Sequence, residues 1–494
     1  MSGPAFITCA GDSLEAAHVH VVLVPLPLQG HLNPFTSLAH YLSASGVDVS
    51  IVLAARADTL LSEARGSSSS IPPLSSPTGR PIRIEVVPDG ISSQSNRPLD
   101  WSMLQQSIET MRQGVENLLE KLMREKYPPR CVVVDSLIPW GRDISLKFNL
   151  PWMMLWAGSA LGFSIGYHAP ELVRKGLIPA AGEEAMDKIV DFVPGLSPFR
   201  IRDVPRPILV DDDPQQNPAY QFFMSIFNSL KHADRILVDS IHELESSVVN
   251  ALREKAGFNL YHVGPLFMMD FLLSAPYSPR ASLLGEDDSC LSWLNQQEGC
   301  SVLYISFGSM ATLEQHVLAE LAHGLEASGV NFLWVIRPDF LQGKASIEEL
   351  LPEGFLERTH CRARLTSWAP QLSVLGHSSV GAFLTHCGWN SVLESLSHGV
   401  PMLGFPQQAE QNTNLKSVVE DWRVGMPLLP PNVQKVERAH VQHAVDAIMR
   451  GDEGTKARTQ AMHLKQVARR ALSSSSKSNL EKLVRDLKYD DLKV

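Results

Sequence analysis

A histidine just past one apolar run and an aspartate at the end of another are the first residues whose types suggest chemistry. In "PLPLQGHLNP" His31 follows the run that starts at His18, and in "CVVVDS" Asp135 closes a run that starts at Cys131. A carboxylate behind a row of valines cannot stay buried without a cation, a donor or water. Paired with an imidazole it would fix the ring's tautomer and stabilise its protonated form, which is the arrangement for general-base catalysis. Alone, a histidine at such a turn is most often a solvated loop residue, so this reading requires the two to meet in space. Further along, "SFGSMA" places Gly308 and Ser309 after a third apolar run, and "LTHCGWNSVLES" places His386, Gly388, Trp389, Asn390, Ser391 and Glu394 after a fourth. Gly388 would let the backbone approach a ligand, and the free N–H groups of Trp389, Asn390 and Ser391 at a helix start favour an anion such as a diphosphate. Plainer readings stay open. Ser391 and Glu394 also have the spacing of a capping box, and a Gly-Ser after a strand is usually only a turn.

Strands must carry these turns. "HVHVVLVPLP", "VSIVLAA", "IRIEVVP", "CVVVDS" and "PWMMLWAG" are apolar throughout, as strands buried on both faces of a parallel sheet are. Helical stretches lie between them. One reads as starting at Asn33 as N-cap with Pro34 at N1 and stopping at Gly46; another spans Trp101 to Glu125. The second half repeats the pattern from "SVLYISFGS", through "FLWVIRP", "ARLTSWAP", "VGAFLTHCG" and "PMLGFP". The expected architecture is α/β: two facing Rossmann-like domains, each a doubly wound parallel sheet, with a cleft between them. The N-terminal domain is assigned residues 1–258, the C-terminal domain 259–476 with a linker at about 271–289, and a terminal helix at about 477–494 should pack back on the first domain. "GSSSSIPPLSSPTGRP" from Gly66 reads as a surface loop. In parallel sheets ligands bind beyond the carboxyl ends of the strands, so all four turns should face the cleft.

Bulk properties narrow the partners. With 494 residues the chain exceeds a single core, and 44% apolar against 19% charged residues is the balance of an ordinary globular protein. A formal net charge of −10 and the lack of a dense Lys/Arg run exclude nucleic acid and anionic membrane surfaces as expected partners. No stretch approaches the roughly 20 apolar residues of a membrane span. The six cysteines form no CxxC pair and read as reduced, mostly buried thiols, so a cytoplasmic location is expected. No metal site is expected, since neither HExxH nor a carboxylate cluster occurs.

The run from Trp368 to Gln411, "WAPQLSVLGHSSVGAFLTHCGWNSVLESLSHGVPMLGFPQQAEQ", resembles the C-terminal signature box of plant family 1 UDP-glycosyltransferases, with WAPQ, HCGWNS, Glu394, GVP and the closing Glu-Gln all in register. The N-terminal Gly-His turn, "VGPL", "SCLSWLNQQ", "YISFGS" and "FLWVIRP" extend the likeness over nearly the whole chain. The resemblance implies a GT-B fold and transfer of a sugar from a UDP-sugar, with UDP-glucose the expected donor, to a small-molecule acceptor, with inversion at the anomeric carbon. It implies that Trp368 stacks on uracil while the segment Ala369 to Gln371 meets the base edge, and that Glu394 takes the ribose hydroxyls. Ser309, with Gly308 beside it, and His386, Asn390 and Ser391, with Gly388 beside them, would hold the diphosphate. Trp389, Glu410 and Gln411 would meet the sugar; a glutamine at 411 goes with glucose in this family where a histidine goes with galactose. No cofactor is implied beyond the donor substrate, and a monomer is expected. Phe405 and the Gln407–Gln408 pair depart from the family pattern and bear on the sugar and acceptor rim.

Two rivals belong to other classes. A nicotinamide oxidoreductase needs GxGxxG after the first strand, where this chain has "PLPLQGHLNP". A non-catalytic UDP-sugar-binding protein would keep Trp368 and Glu394 and lose the base. For the acceptor, Trp140, Phe163, Phe222 and Phe223 are the available aromatic residues, and a flavonoid or other phenol is expected, with a terpenoid or hormone as the alternative.

Overall fold

The computed structural model describes residues 18–65, 79–91, 100–269, 281–337, 347–431, 433 and 435–489. The long segment before the first strand, most of the Gly66 stretch and residues 271–280 of the expected linker lie outside them.

Continuous apolar runs become interior strands. The first sheet has seven parallel strands: β1 (His20–Val24), β2 (Asp48–Ala54), β3 (Ile82–Val87), β4 (Pro129–Asp135), β5 (Trp152–Trp156), β6 (Arg235–Val238) and β7 (Leu260–His262), in the spatial order β3-β2-β1-β4-β5-β6-β7. The second has six, β8 (Val302–Ser306), β9 (Asn331–Val335), β10 (Ala363–Thr366), β11 (Val380–Thr385), β12 (Met402–Gly404) and β13 (Gly425–Pro427), in the order β10-β9-β8-β11-β12-β13. Every residue of β1, β8 and β11 is buried. With roughly 1.5–3 kcal/mol for each fully buried aliphatic side chain, these central strands hold the sheets together.

In both sheets the strand order reverses beside the first strand, between β1 and β4 and again between β8 and β11. Crossovers leave in opposite directions there and open a crevice at the carboxyl ends. His31 follows β1 and Asp135 ends β4; Gly308 follows β8 and His386 follows β11. All four turns therefore sit at switch points.

Among the helices that shape the site are α1 (Gln29–Ala44), α2 (Trp101–Leu122), α3 (Ala160–Tyr167), α4 (Pro218–Leu230), α5 (Trp389–His398), α6 (Gln411–Lys416) and α7 (Ser475–Lys488). The first begins five residues earlier than the Asn33 cap predicted, with Leu28 as N-cap and Pro34 inside the helix. Its first turn is held by Gln29, whose Nε2 donates to Asn33 Oδ1 at 2.9 Å, so Asn33 caps no helix and braces one from within. Asp100 caps α2, accepting from the Met103 amide at 2.9 Å.

The first sheet takes in β7, past the boundary drawn at residue 258, because Leu260 to His262 pair in parallel with β6. On that edge lies α7, which puts Leu480, Leu483 and Leu487 into the first domain's core. It is fastened by Asn479 to the His262 carbonyl at 2.8 Å and by a buried ion pair, Arg235 to Asp486, at 2.6 Å. The five described cysteines are free; Cys131, Cys290 and Cys387 are buried, while Cys300 and Cys361 are exposed. Among the described residues no helix is long and apolar enough to cross a membrane.

Candidate active site

His31 and Asp135 do meet. The imidazole Nδ1 lies 2.8 Å from Asp135 Oδ2, the histidine side chain is 20% exposed, and the aspartate is fully buried. Asp135 Oδ1 accepts from the Leu137 amide at 3.0 Å, so both carboxylate oxygens are used and the group is fixed. A neutral ring with its proton on Nδ1, donated to the carboxylate, leaves Nε2 as a bare base. Burial lowers the ring's proton affinity, but the charge and hydrogen bond of Asp135 and the charge of Glu410 outweigh it and hold the pKa above the ordinary histidine value.

On the second domain, the turn after β11 is built around glycine. A Cβ on Gly388 would stand 2.4 Å from His386 Nε2, and one on Gly308, at φ +75°, would stand 2.7 Å from the same ring. His386 is thus clasped by two backbones that only glycine permits to come so close. Burial, with the Arg337 charge adding to it, pushes its pKa down to about 4. At neutral pH it is therefore an uncharged hydrogen-bonding group, so any positive pull on a diphosphate must come from elsewhere. Gly388 is the N-cap of α5 and no side chain caps it, so the first amides of that helix, those of Trp389, Asn390 and Ser391, keep their donor capacity.

The capping-box alternative is not realised. Ser391 and Glu394 both turn to Gln371, whose Nε2 lies 3.0 Å from Ser391 Oγ and 2.7 Å from Glu394 Oε2, while its Oε1 accepts from Tyr304 at 3.1 Å. Gln371 therefore orients Glu394, and its side chain is committed before any base arrives. Trp368 is half-buried, and its indole Nε1 donates to Ser282 Oγ at 3.1 Å. Beside it, Ala369 is buried.

Three side chains expected at the donor make bonds within the protein. The Trp389 indole is buried, packs at 6.2 Å from Trp422 and donates to the Asp239 carbonyl at 2.7 Å, so its side chain secures the two domains and does not face a sugar. The Asn390 side chain donates one N–H to the Gly30 carbonyl of the first domain at 2.7 Å, which leaves its second N–H and its backbone amide for a ligand. Gln411 is buried, and its Oε1 accepts from the amides of Gln407 at 2.8 Å and Gln408 at 2.9 Å. Its acceptor capacity closes its own loop and only the NH2 can serve a ligand. The Gln407–Gln408 departure thus lies in the turn that Gln411 organises. Glu410, with a pKa raised by burial, is held by Asn414 Nδ2 at 3.3 Å. Two of the proposed acceptor aromatics, Trp140 and Phe163, are core residues, Trp140 donating to the Ile108 carbonyl at 2.9 Å. Phe222 and Phe223 instead gather around the partly exposed Trp101, at 5.1 and 6.2 Å.

Some residues escaped the sequence reading. Gln29 ties α1 to the end of the linker, donating to the Ala281 carbonyl at 2.5 Å and accepting from the Leu283 amide at 2.7 Å. Arg337, after β9, holds the turn beyond β8 by donating to the carbonyls of Ser309 and Ala311. Asn414 joins three elements, donating to the Cys387 carbonyl at 3.0 Å and to Glu410, and accepting from Ser159 Oγ at 3.1 Å. Only Asn414 carried a signal, its i,i+4 spacing from Glu410. Among the described residues no group of three or more His, Cys, Asp or Glu side chains is placed to hold a metal ion.

Known proteins resemble this chain in sequence and fold. The family described as UDP-glucoronosyl and UDP-glucosyl transferase matches residues 286–469. Linamarin synthase 1 of Manihot esculenta is 32% identical over 467 residues, 92% of this chain and 93% of that protein. A 7-deoxyloganetin glucosyltransferase of Catharanthus roseus is 33% identical over 489 residues, 95% and 96% of the two chains. Among solved structures, Phytolacca americana UGT2 complexed with UDP-2fluoro-glucose and pterostilbene superposes with a TM-score of 0.76 at 27% identity, over 95% of this chain and 99% of that one. The architecture is GT-B. With sequence identity of this level running the full length, and not only through the donor half, the chain belongs to the plant family 1 UDP-glycosyltransferases and is a glycosyltransferase enzyme.

Proposed function

We propose that this enzyme transfers glucose from UDP-glucose to a hydroxyl of a small apolar or aromatic acceptor, with inversion at the anomeric carbon. The observation that carries the reading is the His31–Asp135 pair with Nε2 left bare, at the switch point that faces the N-terminus of α5. In this mechanism Nε2 takes the acceptor's hydroxyl proton, the oxygen forms its bond to C1 of the sugar, and the bond from C1 to the diphosphate oxygen breaks, so that UDP leaves. Trp368 and Ala369 bind the base and Glu394, set by Gln371, binds the ribose. The amides at the start of α5 and the Gly308–Ser309 turn receive the negative charge of the leaving diphosphate. Asp135 stabilises the imidazolium until the proton is released. The donor is a substrate, and no separate cofactor takes part.

Glucose is favoured by the names of relatives, a glucosyltransferase and a complex with a fluorinated UDP-glucose. Within the site, Gln411 offers a single NH2 donor to the sugar, supported by Glu410 as an acceptor. For the acceptor, Trp101 at the start of α2 and Phe222 and Phe223 in the second turn of α4 form an aromatic cluster, suited to a planar phenol. Because one relative is a 7-deoxyloganetin glucosyltransferase, a terpenoid acceptor is the second reading. The test is product formation with UDP-glucose and UDP-galactose in competition, over a panel of phenols and terpenoid alcohols. UDP-glucose should win by a margin on the order of 1–3 kcal/mol in kcat/KM. A preference for UDP-galactose overturns the donor assignment, and no transfer from any UDP-sugar overturns the catalytic one.

A further inference from the structure

Proline inside α1 leaves one carbonyl without its helical donor. In an α-helix the amide of residue 34 would bond the carbonyl of residue 30, but Pro34 has no N–H. The structure gives that carbonyl a different partner, Asn390 Nδ2 from the first turn of α5 in the other domain, at 2.7 Å. Gly30 is the residue before His31, so the bond ties the turn that carries the base to the helix start that faces the diphosphate.

We propose that Pro34 and Asn390 act together as a positioning pair. The imino acid frees the Gly30 carbonyl, the amide of Asn390 takes it, and the contact sets His31 in register with the α5 N-terminus across the cleft. The inference rests on His31 being the base, and it assigns to one N–H of Asn390 a positioning role besides any contact with the donor. A proline kept only for the shape of the helix predicts the opposite outcome on replacement, because removing an interior proline normally favours a helix.

Two independent readouts decide it. In kinetics, Pro34→Ala supplies the missing amide, which competes with Asn390 for the carbonyl. It should lower kcat by about threefold to tenfold, the range expected for one lost hydrogen bond, while KM for UDP-glucose moves by less than about twofold. Asn390→Leu, which keeps the approximate size and removes the donor without adding a charge, should do the same, and the double variant should be no worse than either single one. In stability, Asn390→Ala should lower Tm by about 2 °C when proline is present and leave it unchanged in the Pro34→Ala background, where the new amide satisfies the carbonyl. This second cycle needs no turnover, so it stands even if the chain transfers no sugar and the proposed function fails. The pairing is overturned by wild-type kcat in Pro34→Ala, by an equal loss of Tm in both backgrounds, or by an Asn390 variant that weakens UDP binding with kcat intact.

Discussion

At the level of single residues, the chemistry depends on which nitrogen of His31 stays free. In the proposed mechanism Asp135 holds Nδ1 and Nε2 acts as the base, so His31→Ala should lower turnover by roughly a hundredfold or more while calorimetric UDP affinity changes little. The sign of the pH dependence follows from the raised pKa. A base is active only when unprotonated, so kcat/KM should climb with pH through a value above 6.5. Asp135→Asn removes the group that holds the pKa up and leaves the burial that pushes it down. The acid limb should then move to lower pH while the plateau rate falls; an acid limb that stays in place would mean that His31 is not the group being titrated. Gln411 divides along its own amide. Gln411→Glu keeps an oxygen for the Gln407 and Gln408 amides and loses the NH2, so Tm should hold and KM for UDP-glucose should rise. Gln411→Leu loses both, and a leucine variant as stable as the glutamate one would show that the loop does not need the acceptor.

Elements contribute by docking. The C-terminal helix α7 is amphipathic, and its apolar side completes the first domain's core. The polar lock is Asp486, which accepts from Arg235 at 2.6 Å and Lys482 at 2.9 Å, both members of the Arg235 pair being almost fully buried. Burial alone would raise the Asp486 pKa, but the two cations hold it below the usual carboxylate range. Asp486→Ala leaves the guanidinium buried without its counter-ion, which should cost about 3–5 kcal/mol in urea unfolding, whereas a surface pair of similar length contributes under about 1 kcal/mol. A loss within the surface range would mean that water reaches Arg235 in the variant. The pair's stabilisation is present above the ordinary aspartate pKa and fades as pH falls through the lowered one.

For the whole molecule, the two domains meet through a shared apolar cluster, in which Ile241 and Leu244 of the first join Trp389, Leu393 and Leu396 of the second, and through polar contacts around it. Asn390 to Gly30, Trp389 to Asp239, Gln29 to the linker end and Asn414 to Ser159 cross the seam. Asn414→Ala removes the donor to the Cys387 carbonyl and the acceptor for Ser159 in one step, inside a fully buried node. Stability should drop by about 1–3 kcal/mol, and kcat should fall more than UDP affinity, since Glu410 also loses its support. A single undisturbed calorimetric transition with wild-type kcat would show that the seam does not depend on this node.

The strands and the location of the turns follow from local sequence, because continuous apolar runs and Gly-rich turns are short-range signals. The parallel sheets, the turns at their carboxyl ends and the pairing of His31 with Asp135 were legible on that basis, and the family's box in the second half named the donor side. Tertiary structure decided where each polar side chain spends its hydrogen bonds. Trp389 and Asn390 sit in the densest part of the box, yet both side chains reach across to the first domain, and Gln411 closes a loop four residues behind it. Spacing along the chain says which residues share a turn, but a hydrogen bond goes to whichever partner packing brings within about 3 Å. Pro34 shows the same division. The sequence displays it as a helix-start residue, and only the fold reveals a helix that begins five residues earlier, with one carbonyl left over for the opposite domain.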